Sequence, residues 1–236
     1  MRDKVKDSAY FEKYIQKRSA SILKFEGLLE QVIIQKGETF EGVKSGYGTL
    51  EMFYLDKIKA SYSSNSDVAE IKKVYPRFLE CAIKSWTINS GYEILLNVVS
   101  LAVLLNIDKS QFEEAIKFFD KKNISDIIID FLIHKIDSEW VIHNNEVLYP
   151  LRYELLGEII KLDDKIKQQN LLKRYLADWY HKHSDAAWYN SHKSNQNTYN
   201  GYLCFEAGAI AKILGIDDEE LKDNQYYPYD MVHFKG

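Results

Sequence analysis

The feature that most constrains this chain is a helix-stopping corner that is written twice. The stretches "SGYEILLNVVSLAVLLNIDKSQF" from Ser90 and "NGYLCFEAGAIAKILGIDDEEL" from Asn200 each open on Gly-Tyr and run an apolar segment at helical spacing. They close on Leu-Asn-Ile-Asp and Leu-Gly-Ile-Asp, and one gap aligns them. Asn106 and Gly215 are the residue types that tolerate the left-handed conformation just past a helix, so each is expected to terminate one. Ile107 and Ile216 then fold back onto the last turn. Asp108 and Asp217 follow as N-caps, with Gln111 and Glu220 three residues on as the reciprocal half of a capping box. A corner of this kind, used twice, predicts two related helical halves, about 1–123 and 124–236.

The rest of the chain agrees with an all-α fold, packed as a bundle or array of helices. Apolar residues recur at helical spacing almost throughout, and 3 prolines with 11 glycines are too few to punctuate a sandwich or barrel. Helices are expected near 3–35, 47–63, 67–89, 92–105, 109–121, 124–137, 151–161, 164–189, 199–214 and 217–223. Pro76 is placed to split the third, Asp67 caps its start, and "SGYG" at 45–48 reads as loop. "DSEWVIHNNEVLYP", from Asp137 to Pro150, is the place for a short hairpin near 138–149 or an ordered loop.

Composition bounds function by exclusion. The two cysteines, Cys81 and Cys204, have neither zinc nor redox spacing and read as packing residues. The charged N-terminus has no signal-peptide pattern, and no segment offers the ~18 apolar residues of a membrane span, so a reduced, cytoplasmic protein is expected. The first 125 residues carry slightly more lysine and arginine than acid; the net charge of −4 therefore comes entirely from the residues after them. An acidic second half argues against nucleic acid as partner and favours a basic protein.

Glu206 sits inside an apolar helix beside a stripe of small residues, Cys204, Gly208, Ala211 and Gly215, that lets a neighbouring element approach closely. A carboxylate there must be hydrogen-bonded or paired. Donors are sought in the indoles and hydroxyls of "YLADWYHKHSDAAWY", or in Arg174 and Lys212. A structural carboxylate is the favoured reading; the alternative, a general acid or base, lacks a second catalytic group at a defined spacing. His181, His183 and Asp185, with His192 beyond, invite a metal reading. His181 and His183 lie about 200° apart on a continuous helix, however, and cannot share an ion. Neither metal nor cofactor is expected, and no phosphate loop or nucleophile elbow is present.

The closing series carries a resemblance. "WY" at 179–180, "YNGY" at 199–202, "FEAGAIAKILGIDD" at 205–218 and "YYPYDMVHF" at 226–234 resemble the C-terminal domain of PoNi immunity proteins, the bacterial antidotes of PoNe DNase toxins. "YFEKYI" at 10–15 and "GYEILLNVVSLAVLLNID" resemble the family's N-terminal helical domain more loosely. Leu203 stands where relatives commonly place tryptophan, a departure that bears on one packing contact. The resemblance implies an all-α, non-enzymatic antitoxin that binds and neutralises a cognate PoNe-like DNase in bacterial competition, without cofactor, nucleic acid or membrane. On physical grounds the docking face is expected at the acidic corner and the tail after it: Asp218, Glu219, Asp223, Tyr226, Tyr227, Tyr229 and Asp230. Gly201, Tyr202, Glu206, Gly215, Asp217 and Glu220 are expected to be structural. Two other readings stand beside this one: a helical-repeat adaptor with no toxin partner, suggested by the duplicated corner, and a metal-dependent hydrolase using Glu206 and the His181–His192 region.

Overall fold

A computed structural model describes residues 1–124 and 126–236. The described residues form helices and contain no strand. They run as α1 (Ser8–Lys36), α2 (Glu41–Ser63), α3 (Val68–Lys72), α4 (Tyr75–Ser85), α5 (Tyr92–Leu104), α6 (Lys109–Lys122) and α7 (Ile127–Ile136). After a long loop come α8 (Pro150–Lys161), α9 (Lys165–Lys182), α10 (Phe205–Leu214) and the single turn α11 (Tyr229–Val232). The chain divides into two compact units, one of residues 1–94 with 194–202, the other of residues 95–193 with 203–236.

In the first unit α1 and α2 lie along each other, and α4 packs on α2. Asp7 starts α1 by accepting the Tyr10 N–H at 2.8 Å, and Gly37, at φ 82°, ends it. The predicted loop at 45–48 is helix: α2 begins at Glu41, and Gly46 lies within it because Leu29 of α1 presses there. A Cβ on Gly46 would stand 2.9 Å from the Leu29 Cδ1. Phe11, Leu50, Ile58 and Phe78 are fully buried, each stabilising the unit by about 1.5–3 kcal/mol. The third predicted helix is split as Pro76 implied: α3 starts on Asp67, which caps Ala69 N at 2.9 Å, and α4 takes Pro76 in its first turn.

The segment 194–202 completes this unit as irregular chain, bent at 195–197 with Asn197 at φ 46°, where sequence periodicity had suggested that a helix begins at 199. Tyr10 donates its hydroxyl to the Tyr199 carbonyl at 2.8 Å, Tyr199 donates to Asp3, and Asn200 donates to Asp56. Asp56 also holds Arg18 at 2.7 Å. Gly201 passes over α2 at φ 102°, so close that a Cβ would lie 2.0 Å from the Ser63 Oγ. An interior helix position is excluded by that dihedral.

The second unit has its core along α5, α7 and α10. Val98, Leu101, Ile128, Leu132, Phe205 and Ile210 are fully buried, so these helices carry no polar stripe at those positions. α8 and α9 pair with each other, and α10 packs against α7, α8, α9 and α11. The small-residue stripe acts as expected at Gly208: a Cβ there would meet the Pro228 Cγ at 2.6 Å, so α10 and the tail touch nearly backbone to ring. α9 ends at Lys182, short of the expected 189, where the chain turns at His183.

Both corners form. Asn106 and Gly215 take φ 51° and 60°, and the amides of Ile107 and Ile216 reach back to Ala102 and Ala211 carbonyls at 2.9 and 3.1 Å. That six-to-one closure is the Schellman motif. The corners diverge just beyond. Asp108 caps α6 through Gln111 N at 3.0 Å, whereas Asp217 reaches only Glu219 N at 3.3 Å and a 3₁₀ turn, Glu219–Leu221, replaces the expected helix 217–223. Glu220 is drawn away to Lys173 on α9 instead of closing a capping box.

Candidate functional site

Glu206 lies in the first turn of α10, where its side chain is buried. One oxygen, Oε1, accepts from the Tyr175 hydroxyl at 2.8 Å, the Trp179 indole N–H at 2.8 Å and the Cys204 thiol at 3.1 Å. The first two donors sit one turn apart on α9, so the carboxylate clamps α9 to α10. Burial, with the Glu206 charge beside them, pushes the Tyr175 hydroxyl and Cys204 thiol well above their usual ranges, so both stay protonated as donors. Of the other expected donors, Arg174 is exposed, and Lys212 serves the carbonyls of Leu104, Met231 and Phe234 instead. The arrangement is that of a tie between helices.

The histidine cluster is parted by the turn after α9. His183 is buried, its Nδ1 on the Trp179 carbonyl at 2.7 Å and its Nε2 beside the Tyr153 hydroxyl at 3.3 Å. Asp185 pairs with Arg152, and His181 lies on the surface against Tyr180. Aromatic rings fill the space: Trp179 stacks on Trp188 at 5.2 Å, and Tyr226 lies parallel to Tyr180 at 5.7 Å.

The corner after α10 separates the seven candidate docking residues into two kinds. Asp218 is buried: it accepts the Tyr227 hydroxyl at 2.7 Å and faces the His233 Nε2 at 2.9 Å. Asp218 is therefore not the exposed charge that the run "DDEELKD" suggests, and the likewise buried Tyr227 serves to staple the tail to it. Tyr226 is partly covered by its ring contacts. Glu219, Asp223 and Asp230 are exposed, and Tyr229 is half-buried, donating its hydroxyl to Glu219 at 2.7 Å. That bond holds the Glu219 carboxyl below its ordinary range and raises the Tyr229 hydroxyl to about 12. Gly201, Glu206 and Gly215 take the backbone and core positions described above, and Tyr202 is buried with its ring edge-on to Tyr199 at 4.8 Å; Asp217 and Glu220 remain on the surface.

The loop between α7 and α8 is the part that sequence reasoning left open. It is an ordered loop and not a hairpin, shaped by two fully buried carboxylates of α7. Asp126 caps α7 through Ile128 and Ile129 and, with its other oxygen, accepts Leu148 N at 2.7 Å. Asp130 accepts the Trp140 indole at 2.9 Å and His143 N at 2.8 Å. The aspartate ahead of "IIID" is a legible N-cap signal; the bonds to the loop are not legible.

These features define a class: an all-helical body whose buried polar groups hold helices, loop and tail in place, with acid concentrated on its second half. Family comparison agrees. The family described as PoNe immunity proteins (PoNi), N-terminal, matches residues 2–117, and its C-terminal counterpart matches residues 124–231. The chain belongs to the PoNi family of immunity proteins. The fold is similar to the crystal structure of protein PA2201 from Pseudomonas aeruginosa, with a TM-score of 0.63 at 15% identity, covering 92% of this chain and 87% of that one. No curated protein matches the chain significantly in sequence. Among the described residues no helix is long and apolar enough to cross a membrane.

Proposed function

We propose that this chain is a cytoplasmic, non-enzymatic antidote that binds a cognate PoNe-type DNase and neutralises it. Membership in the immunity family over both halves of the chain carries this reading. We further propose that the family halves correspond to residues 1–123 and 124–236. A DNase must attract phosphate and so presents a basic site, which an acidic protein meets at electrostatically assisted rates. The acids Glu219, Asp223 and Asp230, exposed at the corner with Tyr226 and Tyr229 between the last two, are the surface we assign to that encounter.

Replacing Asp223 and Asp230 together by lysine is expected to slow association of the folded variant with the toxin about tenfold at low salt and to flatten its salt dependence. Stopped-flow association over a salt series checks this. An unchanged rate places the encounter surface elsewhere. Asp218 is left intact, because a lysine there would break the bonds to Tyr227 and His233.

A further inference from the structure

The Trp140–Leu151 segment, the loop together with the start of α8, turns apolar side chains outward while its backbone is held from beneath. Val141 is 63% exposed, Ile142 42%, Leu148 53% and Leu151 90%. Single exposed apolar residues are ordinary, but three on one short loop with a fourth in the first turn of the helix that follows are not. Free movement would let such a loop fold these residues away. Here it is pinned: His143 N and Leu148 N to the buried Asp130 and Asp126, the Glu146 carbonyl to Ile127 N at 3.0 Å, and the Trp140 carbonyl to the His134 Nδ1 at 2.8 Å. Val147 seats on Gly157 of α8, where any larger residue would collide with it. Two carboxylates buried at a desolvation cost thus fix the shape of a surface that shows grease to water, an arrangement that suits a preorganised binding surface.

The charges around the loop select its occupant. Between Asp137 and Glu158 the chain carries five carboxylates, Asp137, Glu139, Glu146, Glu154 and Glu158, against the single cation Arg152, which is paired with Asp185. Lys109 offsets Asp137 and Glu139, at 2.8 and 2.6 Å, and Lys161 lies on the Asn145 carbonyl, so Glu146, Glu154 and Glu158 are the remaining exposed acid of this segment. An apolar centre with an acidic rim fits a basic protein surface. It opposes a second copy of this chain, whose rim would be the same sign.

We propose that the Trp140–Leu151 segment is the apolar anchor by which this protein holds its basic toxin partner. The proposal rests on the antidote reading above and assigns it a surface: charge at the corner speeds encounter, while contact at the loop sets residence time.

The test uses the full chain and the purified nuclease toxin encoded beside its gene, with binding followed by surface plasmon resonance and oligomeric state by light scattering. Val141→Ser combined with Leu151→Ser is expected to raise the dissociation rate about 100-fold, with association within about twofold of wild type and an unchanged melting temperature. Ile166→Ser, at an apolar site that is 72% exposed on α9, serves as control and is expected to dissociate as wild type does. If the wild-type chain forms no complex, the antidote reading itself falls and the anchor with it. If wild type binds and the double variant leaves at the wild-type rate, the anchor alone is overturned. A wild-type dimer that the double variant abolishes overturns it too, since the loop would then be covered by a second copy.

Discussion

Replacing Gly201 by alanine is expected to destabilise the fold by roughly 3 kcal/mol, from two separable effects. The first is backbone strain: φ is 102°, beyond the left-handed well that asparagine occupies at 106 and 123, and an alanine held there is strained whatever space surrounds it. The second is collision, because the new Cβ would stand 2.0 Å from the Ser63 Oγ and 3.2 Å from its Cβ. Relief by chain movement would pull Tyr199 and Asn200 from Tyr10, Asp3 and Asp56. Urea unfolding measures the loss. Adding Ser63→Ala to Gly201→Ala should recover part of it, the collision, and leave the backbone part. A loss under about 0.5 kcal/mol would show that the segment 194–202 is not held as described.

Glu206→Ala is expected to lower the melting temperature by roughly 10 °C, from a loss of about 3–4 kcal/mol. Three buried donors, the Tyr175 hydroxyl, the Trp179 indole and the Cys204 thiol, lose one shared acceptor at a position buried away from bulk water. Glu206→Gln keeps an oxygen at the same place and should lose less than half as much. Toxin affinity, measured on the folded protein, should be unchanged in both. Equal melting temperatures for wild type and alanine variant would contradict the structural role. Lost binding at full stability would move Glu206 to the functional surface.

Much of this architecture was legible because it is written locally. The two Schellman corners need only Asn or Gly, Ile and Asp in order, and the split at Pro76 and the cap at Asp67 follow from single residues. Glu206 was legible one step further, since a carboxylate among small apolar residues demands donors and the nearest aromatic helix supplies Tyr175 and Trp179. What failed to show depends on contacts distant in sequence. "YNGY" falls in a run of helical periodicity, and only its contacts with Asp3, Asp56 and Ser63 reveal a segment that is not helix. "SGYG" looks like punctuation until Leu29 is found against Gly46. Asp218 reads as one more solvated acid in "DDEELKD", yet the returning tail brings Tyr227 and His233 onto it. The docking surface was the least legible part. The bonds from Asp126 and Asp130 that shape the 140–151 segment join residues whose spacing follows no helical or strand period.

The action proposed for this helical body is neutralisation by contact, without turnover. Its most direct measurement is DNA cleavage by the purified cognate toxin as the chain is titrated in. Cleavage is expected to fall in proportion to added protein and to end at one equivalent, with the toxin recovered intact and active once separated. Full cleavage in the presence of excess chain, or a toxin covalently altered by catalytic amounts of it, would contradict the claim.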